Sequence, residues 1–238
     1  MGITQVIDPF YQPLDLKSLQ NKPVVGQFCW VASPHLDIVP RIMEVERPDP
    51  REHYATKFKI RNMTDQDFRK KEKLPIWSLT LRETEELLIQ KAKKRLAITV
   101  AAQNTIFDDI KETVGRREHL QEENILVVPL YGIEAAGHEG GFPPIMTARI
   151  KALMYRQFFY CPFKAPVYEA VVRLDRIQPV IPHHPGWIPE NIALSEEALG
   201  VLMGMLREYF GAPQDEDMEA LREIVRDALP EDAKIPQK

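Results

Sequence analysis

The sequence predicts an α+β fold: a curved, mostly antiparallel sheet with a helix packed on it and a helical C-terminal end. Two observations predict it. Three apolar runs, 24–32, 95–102 and 124–131, have the β-branched and aromatic character of strands. A capped amphipathic stretch, Ser195 to Phe210, follows them. The bulk supports a real core, because the chain has 238 residues, 44% of them hydrophobic and 28% charged.

Each element has its own reason. Residues 1–23 read as an extended lead-in, interrupted by Pro9 and Pro13. VVGQFCWVA, 24–32, is the first strand. RPDPREHY, 47–54, is a loop, because its prolines and charges forbid a regular element. KFKIR, 57–61, alternates polar and apolar as a short strand does. TLRETEELLIQKAKK, 80–94, is rich in helix formers, with Leu81, Thr84, Leu88 and Ala92 on one face, and predicts a helix. RLAITVAA, 95–102, turns β-branched and reads as a buried strand. NILVVPLYG, 124–132, is a second, ended by Gly132. The charged segment between them, 108–124, lacks an apolar face and reads as a surface excursion.

GIEAAGHEGGFPP, 132–144, is a glycine-rich loop but no phosphate cradle. Phe142 and Pro143 stand where the Walker pattern needs Lys and then Ser or Thr. Residues 145–157 predict a helix with Met146, Ile150, Leu153 and Met154 on one side. YEAVVRL, 168–174, is a third core strand. Ser195 caps the next helix, and Glu196 and Glu197 favour its positive end. Leu199, Leu202, Met203, Leu206 and Phe210 follow at helical spacing, and Gly211 and Pro213 close it. A last helix, 216–229, carries Met218, Leu221, Val225 and Leu229 on one side and stops at Pro230.

Several function classes are excluded on composition and motif. A net charge of −4 argues against a protein that coats nucleic acid non-specifically. Basic residues do cluster, in RKKEK (69–73), KAKKR (91–95) and RIKALMYR (149–156), each by itself a solvated face. Cys29 and Cys161 lie in apolar stretches and read as reduced, buried thiols. The N-terminus lacks the basic start and apolar core of a signal peptide. No run of about 18 apolar residues is present, so the expected location is cytoplasmic, with no membrane partner.

Of the histidines only His183 and His184 are close, and neighbours on an extended chain point to opposite faces. With no CxxC and no HExxH, no metal is expected. No G-x-S-x-G and no G-x-G-x-x-G occurs, so neither a hydrolase elbow nor a dinucleotide cofactor is expected. Arg95 remains. It stands at the entry of an apolar strand, where a planar fork of donors suits a phosphate. Taken alone it reads as an ordinary surface arginine.

The order of these segments carries a resemblance. GQFCWV comes first, then KKRLAITV, ILVVPLYG and YEAVVRLDRIQPV, then a helix opening LSEEALGVLMGML. This resembles the MazF/PemK-like family of toxin endoribonucleases, in short islands between residues 24 and 210. Gly26 matches the family's opening glycine, with Gln27 where Asp is usual. Arg95 matches its catalytic arginine, with Leu96 where Pro is usual. Pro129 matches the second motif, with Tyr131 in place of its Thr or Ser. Asp175 matches a Leu-Asp pair.

The resemblance implies an SH3-like barrel with a packed C-terminal helix. Residues 1–211 form the barrel domain, with insertions at about 33–79 and 103–123, and 212–238 form a helical extension. It implies a homodimer that cuts single-stranded RNA without a metal or cofactor, and an antitoxin protein as partner. Arg95 and Tyr131 are the catalytic candidates it assigns, and Gln27, Lys93, Lys94 and Asp175 the substrate-binding ones. With the hydroxyl position altered, a non-catalytic barrel module that binds a protein or nucleic acid stays open beside the nuclease.

Overall fold

A computed structural model describes residues 2–20, 22–46, 51, 56–70, 81–102, 124–133 and 141–234. The chain divides into two units, 1–32 with 94–238, and 33–93. In the first, an eight-stranded antiparallel sheet runs in the order β1 (Tyr11–Pro13), β11 (Trp187–Leu194), β2 (Gln27–Pro34), β6 (Ala92–Ala101), β7 (Ile125–Gly132), β9 (Ala170–Arg173) and β8 (Phe158–Cys161). β10 (Gln178–Val180) pairs with β7 beside this path. Three helices accompany it among the described residues: α1 (Pro144–Lys151), α2 (Glu196–Tyr209) and α3 (Glu216–Asp227).

The second half of β6 and most of β7 are almost wholly apolar because both of their faces are covered there. Leu96, Ile98, Val128, Leu130 and Val172 join the main core with Phe28, Phe159 and the buried face of α2. Ala97, Ile125 and Val127 face a smaller core with Cys29, Val31 and Trp187. A strand buried on both sides loses the polar alternation of a half-exposed one. Pro129 cannot donate to a ladder, and it stands where β7 changes partner, from β10 at Ile125–Val127 to β9 at Leu130–Gly132. Cys29 and Cys161 are buried free thiols. Burial pushes the Cys29 thiol up to about 12, with the nearby Thr99 hydroxyl opposing it more weakly.

The α+β class and the large antiparallel sheet agree with the sequence. The sheet is not closed into a barrel. Its outer strands β1 and β8 form no ladder with each other among the described residues. They meet through side chains: Phe10 stacks on Phe159 with centroids 5.9 Å apart, and the Tyr11 hydroxyl donates to the Pro162 carbonyl at 2.7 Å. The lead-in is therefore no loose extension. Ile3, Ile7, Phe10 and Tyr11 are buried, and a 3-10 turn spans Ile3–Gln5.

α2 is built as its sequence predicts. The Ser195 hydroxyl accepts from the Ala198 amide at 3.2 Å, and Ala198, Leu202 and Met205 are fully buried. Beneath it, Gly26 has φ +89°, a left-handed backbone that favours glycine, and a Cβ there would lie a tight 3.3 Å from Leu199 Cδ2. α3 folds back onto α2. Its Arg222 makes a two-pronged ion pair with Glu208, at 3.0 and 2.7 Å, with both side chains buried.

In the second unit, β3 (Arg41–Glu46) pairs with β4 (Lys57–Asn62) and with β5 (Leu88–Ile89). The helix expected over 80–94 does not form in its described part. Leu88 and Ile89 pair with Ile42 and Arg41, and β6 begins at Ala92, so strand pairing overrides local propensity. The helix expected over 145–157 stops at Lys151. Leu153 takes a left-handed φ of 56°, its side chain buried, and the chain turns into β8. The loop expected at 47–54 and the excursion at 108–124 fall almost wholly outside the described residues, as does the middle of the 132–144 loop.

Candidate functional site

β6 and β7 run antiparallel with Ala97 opposite Pro129. Two positions further along this register, Arg95 faces Tyr131, and the guanidinium carbon lies 4.2 Å from the ring centre. Such a stack is favourable because the ring face is electron-rich. On the other side of β7, Tyr131 pairs with Val171 of β9, so Arg173 is its diagonal neighbour on the same face. The Arg173 guanidinium carbon lies 5.5 Å from the Tyr131 ring centre and 5.9 Å from that of Phe158. Two arginines from the strands flanking β7 thus close on one tyrosine ring.

The two cations differ in what else they touch. Among the described residues Arg95 enters no ion pair, and its recorded contact is the Tyr131 ring. It also lies near Tyr168: burial pushes that phenol up, while the Arg95 charge works against the rise. Tyr168 donates to the Leu130 carbonyl at 3.3 Å. Arg173, by contrast, is paired. Its Nε donates to Asp175 Oδ1 at 3.0 Å and Nη2 to Asp175 Oδ2. Arg176 Nε approaches the same carboxylate at 3.7 Å. Burial works to raise the Asp175 carboxyl, but the Arg173 fork outweighs it and holds the group below the ordinary carboxylate range.

The sequence candidates scatter around this centre. Arg95 and Tyr131 are in direct contact, and Asp175 reaches them through Arg173. Gln27 does not join. It is fully buried, accepting from the Val24 amide at 3.1 Å and donating to the Glu190 carbonyl at 3.2 Å. It sits at the Thr99 end of the sheet, beside the Gly26 amide that donates to the Thr99 carbonyl at 2.8 Å, and its hydrogen bonds brace the strands. Lys94 follows the strand alternation to the face opposite Arg95, where its ammonium lies 5.7 Å from the centre of the Trp30 ring. Trp30 is anchored in turn by donating to Glu190 at 2.6 Å. Lys93 is exposed on β6 and belongs to the 33–93 unit.

Arg173 is the residue that sequence reading missed. A signal for it existed: R-L-D puts a cation and a carboxylate two residues apart at a strand end, and the 3-10 turn Leu174–Arg176 brings Asp175 onto Arg173. Chemically, the site offers one unpaired guanidinium, a second held in a fixed plane, and aromatic walls. That is equipment for phosphate and for flat, unsaturated groups. No helix among the described residues is long and apolar enough to cross a membrane. Compared with family models, curated proteins and solved structures, the chain matches none.

Proposed function

We propose that this protein binds single-stranded RNA at the Arg95–Tyr131 face and cleaves it without a metal, in the manner of the MazF/PemK-like endoribonucleases that its sequence resembles. The observation that carries the reading is the Arg95–Tyr131 contact at 4.2 Å, with Arg95 in no ion pair among the described residues. An arginine stacked on an aromatic ring has its donor edge oriented while its charge stays uncompensated. That is what a phosphate in a charge-building transition state requires.

In this route RNA supplies its own nucleophile. The 2′-hydroxyl oxygen bonds to the adjacent phosphorus as its proton leaves, and the 5′-oxygen of the next nucleotide departs and takes up a proton. The products are a 2′,3′-cyclic phosphate and a free 5′-hydroxyl. Arg95 stabilises the extra negative charge on the non-bridging oxygens. A substrate with a single 2′-deoxy nucleotide at the cut position tests this directly. The all-ribose strand is cut, and the 2′-deoxy strand stays whole. Cutting of both strands contradicts the route.

A second reading is a binding module without catalysis. The carboxylate that touches the cluster, Asp175, is engaged by Arg173 rather than free to take the 2′-proton. Under this reading labelled RNA binds and neither strand is cut. The SH3-like barrel, the homodimer and an antitoxin partner belong to the first reading and rest on the resemblance.

A further inference from the structure

The Arg173–Asp175 pair has a feature that a saturated ion pair lacks. Asp175 takes Nε and Nη2 of Arg173 and leaves Nη1 without a partner among the described residues. The Arg173 side chain is 30% exposed. Its plane is fixed three ways, by the carboxylate, the Tyr131 ring at 5.5 Å and the Phe158 ring at 5.9 Å. A fixed guanidinium with one edge unused and reachable from solvent is prepared to receive an anion, because little rotamer freedom is left to lose. Tyr131 is the spacer in the sense that β7 stands between β6 and β9, and its ring centre lies 4.2 Å from the Arg95 guanidinium carbon and 5.5 Å from that of Arg173.

Resting on the single-stranded RNA reading above, we infer that Arg173 holds the phosphate next to the one held by Arg95, through its Nη1, with Asp175 as the residue that aims it. The ligand is a single-stranded RNA segment with two consecutive phosphates laid across Tyr131. A lone nucleotide or a single phosphodiester meets only half of the site. The two contacts differ in kind: Arg95 brings uncompensated charge, and Arg173 brings direction with its charge largely balanced by Asp175.

Counterion release supplies the test. Each phosphate contact on a single strand adds about 0.7 to the slope of log affinity against log salt. The probes are fluorescein-labelled 2′-O-methyl RNAs with one or two phosphodiesters, which bind but hold no 2′-nucleophile. With the unaltered protein, the second phosphate tightens binding about tenfold, the scale of one charge-assisted hydrogen bond, and steepens the salt slope. In Arg173→Gln this increment vanishes, read within the variant as the difference between its own one-phosphate and two-phosphate probes. In Arg173→Lys, which retains the charge and loses the fork, the slope increment returns and part of the affinity gain is lost. An unchanged slope from one to two phosphates in the unaltered protein overturns the inference, whatever the variants do. So does an Arg173→Gln protein, shown folded by its melting curve, that retains the full increment. If no RNA probe of any length binds the unaltered protein, the function reading itself fails. If Arg95→Ala loses binding while Arg173→Gln does not, only the second contact is wrong.

Discussion

Arg95 reaches Tyr131 because antiparallel register sets them opposite each other, Arg95 inside β6, which begins at Ala92 rather than at the expected strand entry, and Tyr131 next to the end of β7. Neither is fully buried, so the pair adds little to stability and is free for function. Arg95→Ala is expected to slow RNA cleavage by about 100-fold or more, the loss of one preorganised donor, while moving stability by less than about 0.5 kcal/mol. A cleavage assay with a melting curve on the same sample checks both. Tyr131→Phe keeps the ring that both guanidiniums rest on, so its cleavage rate is expected within a few-fold of the unaltered protein. Tyr131→Ala removes the spacer, and its rate is expected to fall towards that of Arg95→Ala. A loss in Tyr131→Phe as deep as in Tyr131→Ala assigns the work to the hydroxyl instead. The Asp175 carboxyl sits below its unfolded value, so its stabilising share is present above the ordinary carboxylate range and is lost as pH falls through the depressed folded value. Melting curves of the unaltered protein and Asp175→Asn therefore differ at neutral pH and converge in acid. A constant gap at all pH values contradicts this.

At the scale of elements, the α2–α3 contact offers the sharpest energetic test. Arg222→Met leaves the Glu208 carboxylate buried without its partner, which costs about 3–5 kcal/mol, whereas Glu208→Leu with Arg222→Met removes both charges and recovers most of that loss. Chemical denaturation of the single and double variants measures it, and equal losses in both deny the pairing. The same helix shows what sequence makes legible. Ser195, the first-turn glutamates and the apolar spacing are all local, so α2 is read within a residue of its observed bounds. β6, β7 and β9 are legible for a related reason, since burial on both faces writes a continuous apolar run. β11 is not. WIPENIAL carries two polar residues and a proline, and its ladder with β2 shifts register between Pro189 and Ala193. β8, FFYC, is only four residues long and directly follows a stretch of helical spacing that a left-handed Leu153 cuts short, so it writes no pattern of its own. The 80–94 segment has helical composition, but its β5 residues are claimed by β3, a partner that local sequence cannot reveal. The candidate site was half legible: strand-entry arginine and strand-end tyrosine are visible in the order of motifs, while Arg173 joins them only through the β7–β9 register.

For the whole molecule, the strand order places β2, β6 and β7 side by side, with β9 next to β7 and α2 packed against the main core. The 33–93 unit is inserted between β2 and β6, which pair within the sheet. A homodimer is part of the proposed MazF/PemK-like reading, and burial of an edge strand against a twin is a common way to remove an open edge. Light scattering at tens of micromolar protein is expected to give twice the chain mass of 27.5 kDa, and a monomer mass contradicts the dimer. The proposed action of the Arg95 face on RNA without a metal is tested most directly by a fluorogenic single-stranded RNA incubated with the purified protein in EDTA, beside Arg95→Ala at equal concentration. Cutting by the unaltered protein is expected, with a loss of about 100-fold or more in the variant. RNA left whole by the unaltered protein, or cut equally fast by both, contradicts it.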